Sequence, residues 1–96
     1  MLDFTGFQFI GAPQVSTPSS STPVTLPDGA NGWIIQAKGQ DVCLSFDNNP
    51  ATTNDLALLV TQGAVFLKAE NPRWFFFVIQ AAATATFIAQ PVRFDG

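Results

Sequence analysis

Residues Trp33 to Phe46 read WIIQAKGQDVCLSF, two apolar runs parted by Lys38, Gly39 and Gln40. In the second run Val42, Leu44 and Phe46 share one face and Asp41, Cys43 and Ser45 the other, the period of two that marks a half-buried antiparallel strand. With Gly39 in the short turn, the segment predicts a β-hairpin. The polar stretch DNNPATTND, Asp47 to Asp55, follows as a loop. Leu56 to Val60 and Ala64 to Lys68 then predict a second hairpin around Thr61, Gln62 and Gly63, although Leu56 to Leu59 also fits one helical turn. ENPR, Glu70 to Arg73, is a turn, and WFFFVIQ, Trp74 to Gln80, is a strand by its aromatic and β-branched content. Thr84 to Gln90 and Val92 to Phe94 close the chain, with Pro91 expected at an edge or bulge.

Upstream, Val24 to Leu26 suits a brief strand before the turn PDGANG. GAPQVSTPSSSTP, with Pro13, Pro18 and Pro23 around a Ser/Thr tract, reads as a linker, and Phe7 and Phe9 at period two make a short strand or extended arm. No long segment repeats its apolar residues every 3.6 positions, and no internal repeat is visible. The expectation is an all-β chain of about seven or eight short strands: a small antiparallel β-sandwich, jelly-roll-like or immunoglobulin-like, with an extended N-terminal arm. Residues 1–27 would form the arm and Pro/Ser/Thr linker, and residues 28–96 the sandwich.

Composition narrows function. The chain has 96 residues, 47% hydrophobic and 11% charged, against a usual charged share of roughly a quarter. One domain fits this length. Four basic and seven acidic residues give a net charge of -3, which supplies no electrostatic footprint for nucleic acid or anionic lipid. Neither is expected as a partner. Cys43 is the single cysteine, so no intramolecular disulfide or cysteine-based zinc site is expected and a cytosolic site of synthesis fits. The N-terminus lacks a basic n-region and no apolar run reaches membrane-span length, so neither a cleaved signal nor a span is expected.

The chain contains no His and no Tyr, which removes the commonest general base. Cys43, between Val42 and Leu44, reads as a small structural residue rather than a nucleophile. Asp47 and Asp55 with Asn48, Asn49 and Asn54 offer oxygen ligands, but without the spacing of a calcium loop they read as Asx-turn residues. GANGW lacks the Lys-Ser/Thr signature of a phosphate loop. The expectation is therefore a protein that is not an enzyme, with no catalytic residue, no metal and no cofactor.

Trp74, Phe75, Phe76, Phe77, Val78 and Ile79 form a run apolar on both faces of a strand. A two-layer sandwich covers only one face, so the other needs either the chain's own arm, with Phe4, Phe7, Phe9 and Ile10, or a second subunit. Phe4, Phe7, Phe9, Ile10, Trp74, Phe75, Phe76 and Phe77 are thus the expected assembly interface, and a homo-oligomer joined by apolar contacts and arm exchange is the expected state.

From Trp33 to Phe94 the pattern WIIQAKGQDVCLSF, the DNNPATTND loop, LALLVTQGAVFLKA, FFFVIQ and TATFIAQPVRF resembles small structural proteins of tailed-bacteriophage virions, in particular capsid decoration or cement proteins and head-tail accessory proteins. The resemblance implies a jelly-roll-like or immunoglobulin-like sandwich that binds and stabilises a capsid or head-tail assembly. It also implies partners among capsid or other virion proteins, a possible trimer, and a place in the virion after synthesis in the host bacterial cytoplasm. The alternative from another class is a carbohydrate-binding module using Trp33 or Trp74, or a tail or fibre receptor-binding component.

Overall fold

A computed structural model describes residues 6–71, 73–82 and 84–95. Among the described residues nine strands run in order: β1 Phe7–Phe9, β2 Gln14–Ser16, β3 Thr22–Thr25, β4 Gly32–Lys38, β5 Val42–Ser45, β6 Leu56–Leu58, β7 Val65–Lys68, β8 Phe75–Gln80 and β9 Thr86–Phe94. A 3-10 turn, Val60–Gln62, lies between β6 and β7. The first sheet has the order β1-β9-β4-β7, with β2 also on β9, and the second the order β3-β8-β5-β6. All pairings are antiparallel. From β2 to β9 every connection except β5–β6 passes from one sheet to the other, so β2-β9-β4-β7 facing β3-β8-β5-β6 is the strand order of an eight-stranded jelly roll. Of the two sandwiches the sequence left open, this topology is the jelly roll, with β1 added along β9.

The alternation that predicts strands also places the core. Trp33, Ile35 and Ala37 of β4 and Phe87 and Ala89 of β9 face Phe76 and Val78 of β8, Val42 and Leu44 of β5 and Leu58 of β6. Trp33 packs edge-to-face on Phe76, centroids 5.2 Å apart, and Phe76 on Phe87 at 6.1 Å. Trp74 stacks on Phe46 at 5.7 Å and 3°. Such geometries are those aromatic rings prefer. Among the described residues Trp33 Nε1 is the buried side-chain polar atom without a hydrogen-bond partner.

Three sequence expectations change here. Neither predicted hairpin forms: β4 and β5 lie in different sheets, as do β6 and β7. The turn at Gly39, φ 81°, carries the chain over the edge of the sandwich beside the β8–β9 corner, where Ala81 N donates to Asp41 O at 2.9 Å. A corner and a hairpin need the same short polar turn between amphipathic strands, so local sequence does not separate them. Second, Gln14–Ser16, inside the stretch read as a linker, forms β2, whereas β1 and β3 lie at or beside the short strands expected at Phe7–Phe9 and Val24–Leu26; the Ser/Thr tract is the crossover from β2 to β3, anchored where Gln80 N donates to Pro18 O at 2.8 Å. Third, Pro91 sits inside β9, which is flanked on both sides. Its carbonyl accepts from Ile10 N at 2.9 Å. A strand residue aims its N–H and C=O to the same side, so the donor that proline lacks faces the break between β1 and β2.

Candidate functional site

Register fixes which side chains leave the sandwich. On the outer face of the first sheet stand Phe7 and Phe9 of β1, Val15 of β2, Ile88, Val92 and Phe94 of β9, Ile34 of β4 and Phe66 of β7, because Phe7 pairs with Phe94, Phe9 with Val92, Val15 with Ile88 and Ile34 with Phe66. Gly32 opens the centre of this face. A Cβ there would lie 2.3 Å from Phe94 Cε2 and 2.6 Å from Leu67 O; with only hydrogen in that place, the Phe94 ring lies over the backbone of β4. The rings then touch in sequence: Phe7 and Phe66 at 5.3 Å edge-to-face, Phe7 and Phe94 at 6.2 Å, Phe66 and Phe94 at 6.1 Å, and Phe7 and Phe9 at 5.7 Å. Phe66 remains 55% exposed, Phe9 42% and Val15 62%. The outward strand positions of this sheet also carry Lys38 and Lys68 and no carboxylate.

Asn31 ties down the end of the face. Its Nδ2 donates to Phe94 O at 3.1 Å and its Oδ1 accepts from Phe94 N at 2.6 Å, so one side-chain amide satisfies both backbone groups of the residue whose ring covers Gly32.

The outer face of the second sheet is built otherwise. Phe75, Phe77 and Ile79 point outward from β8, and all three are half-buried within one copy of the chain. Cys43 and Ser45 point the same way from β5, and both are buried. The cover is the loop 46–55. Ser45 Oγ, with a single proton, lies 2.7 Å from both Asp47 Oδ1 and Asn49 O, and Ala51 N donates to Ser21 Oγ at 2.8 Å, on the far side of β8. The loop thus leaves β5, crosses the face toward the head of β3 and returns to β6. The N-terminal strands do not shield this face, since β1 and β2 pair with β9 in the other sheet; the chain's own polar loop crosses it, leaving Phe75, Phe77 and Ile79 half-buried.

The expected interface residues therefore part company. Phe4 lies outside the described residues. Phe7 and Phe9 belong to the phenylalanine face, and Ile10, half-buried beside it, bonds Pro91. Phe75 and Phe77 lie on the opposite side of the sandwich, under the loop. Phe76 is not a surface residue at all, being fully buried, and Trp74, half-buried, packs against the core cluster. Trp33, the other candidate sugar platform, is fully buried as well. Sequence reasoning missed Phe66, Phe94, Ile34 and Ile88, because no local signal shows that β1, β9, β4 and β7 lie side by side.

Among the described residues the remaining geometry gathers no reactive groups. Burial, and then the charges of Asp55 and Asp41, pushes the Cys43 thiol up from its ordinary range. Asp47 is held below the usual carboxylate range by its hydrogen bonds from Ser45 and Asn49. Asp55 Oδ2 accepts from Thr52 N at 2.7 Å, so both loop carboxylates are engaged in local turns. Among the described residues no three Cys, Asp or Glu side chains come together as a metal would require. Two pockets open at the sandwich edges. One of about 190 Å³ lies between β2 and β3, lined by Gln14, Ser16, Thr22, Val24, Phe87 and Ala89. The other, about 220 Å³, lies between β6 and β7, lined by Ile35, Leu44, Phe46, Leu58, Val65 and Leu67. Neither has an ionisable lining residue. Comparison with protein-family models, with curated proteins and with solved structures finds no significant match.

Proposed function

We propose that this chain is a non-enzymatic structural subunit that docks on other protein surfaces, and on copies of itself, through the phenylalanine face of the first sheet. The observation that carries this reading is the ring cluster of Phe7, Phe9, Phe66 and Phe94 on an outward sheet face, with Phe66 and Phe9 substantially exposed. A contiguous exposed apolar patch on a small domain marks a contact surface, and aromatic residues dominate the energetic centres of such contacts. In its finer form the proposal is a bacteriophage virion protein of the capsid decoration, cement or head-tail accessory kind. Its supports are the sequence resemblance and a jelly roll, an architecture that capsid subunits share with lectins and cupins and which by itself decides no function. The carbohydrate reading is left with Trp74 alone, half-buried and with one face taken by Phe46, since Trp33 is enclosed.

The test is the double variant Phe9→Ser with Phe66→Ser. Both side chains are partly in water already, so the fold is expected to persist by circular dichroism. Sedimentation should show loss of self-association, and virion shells lacking this chain should capture the parent protein but not the variant. Equal capture of both would refute the face as the docking surface, and capture of neither would remove the virion reading.

A further inference from the structure

The acceptor edge of β9 is defective in one place, and the N-terminal segment carries the matching defect. Pro91 offers a carbonyl but no N–H on the side away from β4. Opposite it the edge pairing is interrupted between Phe9 and Gln14. On one side of this break Phe7, Gln8 and Phe9 pair with Phe94, Arg93 and Val92; on the other Gln14, Val15 and Ser16 pair with Ala89, Ile88 and Phe87. Within the break Ile10 N donates to Pro91 O at 2.9 Å, and Gln90 Nε2 donates to Gly11 O at 3.0 Å. A continuous foreign strand would aim its ladder at a donor that Pro91 does not have. The edge therefore selects the segment Phe7–Ser16 of this chain.

That segment is lightly held where it lies. β1 and β2 hydrogen-bond in ladder with β9 alone. Four of their six strand residues are exposed. Between β2 and β3 the sandwich leaves a cavity of about 190 Å³ instead of close packing. The tether to β3 contains the exposed Ser19 and Ser20. Residues 6–16, drawn out, span up to about 35 Å, comparable with the 36 Å longest dimension of the described molecule.

From these observations we propose that Phe7–Ser16 is an exchangeable arm, and that in the assembled state it pairs with β9 of a second copy of this chain in the register seen within one copy. The inference rests on the assembly reading above. In dilute solution the tether keeps the arm on its own β9. Neighbours held in an assembly raise the local concentration of foreign arms to the level at which the same contacts form between copies.

The test mixes two chains in a Cys43→Ala background, one Val15→Cys and one Ile88→Cys, whose positions face each other directly in the pairing. Carrying different mass tags, they are concentrated together and oxidised mildly. Exchange is expected to yield a covalent heterodimer of the two tagged chains, twice the 10.3 kDa of one chain, while the chain carrying both substitutions, kept dilute, closes its disulfide internally. Isotope-filtered NMR of mixed-labelled parent chains reads the same Val15–Ile88 contact without thiols. Oligomers with neither heterodimer nor inter-copy contact would overturn the exchange and leave the assembly reading standing. A chain that remains monomeric at every concentration would overturn both exchange and self-association, and the shell-capture experiment would then decide docking separately.

Discussion

Gly32→Ala gives a sharp test because two physical effects act on it with opposite signs. In a strand, replacing glycine by alanine ordinarily stabilises by roughly 0.5–1 kcal/mol, since the unfolded chain loses conformational freedom. Gly32 has no positive φ that would forbid a side chain. The structure predicts the reverse. The new methyl would sit 2.3 and 2.8 Å from Cε2 and Cδ2 of Phe94 and 2.6 Å from the carbonyl oxygen of Leu67. The ring could swing away, but the carbonyl belongs to the backbone of β7, paired in register with β4. Overpacking costs about 1–3 kcal/mol, and contact with fixed backbone puts this site in the upper part of that range, about 2–3, so the net loss after the entropic gain is about 1–2.5 kcal/mol. For a domain of this size, that lowers Tm by roughly 5–15 °C. Differential scanning calorimetry reads the shift. A double-mutant cycle with Phe94→Ala should show coupling of at least about 0.5 kcal/mol, with recovery incomplete because the Leu67 contact remains. An unchanged or raised Tm, or strict additivity with Phe94→Ala, would refute the placement of Phe94 over Gly32 and with it the geometry of the phenylalanine face.

Asn31→Asp keeps an acceptor for Phe94 N but turns the donor facing Phe94 O into a second acceptor, and should cost about 1–2 kcal/mol in urea unfolding. Ser45→Ala removes the buried hydroxyl whose single proton lies between Asp47 Oδ1 and Asn49 O, at about 1 kcal/mol, and lets Asp47 titrate closer to its ordinary range. Because Asp47 is held low in the folded state, its contribution is present above the unfolded carboxylate value and lost as pH falls through the folded one. The Tm gap between parent and Ser45→Ala should accordingly be widest at neutral pH and narrow in acid. Cys43, buried and pushed up in pKa, should react with iodoacetamide at least roughly tenfold more slowly in the native chain than in urea, as read by mass spectrometry. As pH climbs past the unfolded thiol's value, the unfolded chain ionises first and stability falls.

By itself the sequence determined the all-β class, the positions of most strands and, for the strand at Val42–Phe46, which face turns inward. Those properties are local: a period of two in side-chain polarity, turn residues with special dihedrals, and no helical period. They put Val42, Leu44 and Phe46 inward and the aromatic run at Trp74–Gln80 in a strand. Tertiary structure decided which strands become neighbours. A tight turn after β4 looks the same whether β5 returns beside it or crosses to the opposite sheet, because each strand shows an apolar face to the same core. The partition of the phenylalanines followed from that choice. Phe75 and Phe77 fell on the face crossed by the loop that the Ala51–Ser21 bond, between residues 30 apart in sequence, draws over β8, and Phe7, Phe66 and Phe94, spread along the whole chain, met over the one residue of β4 that has no side chain.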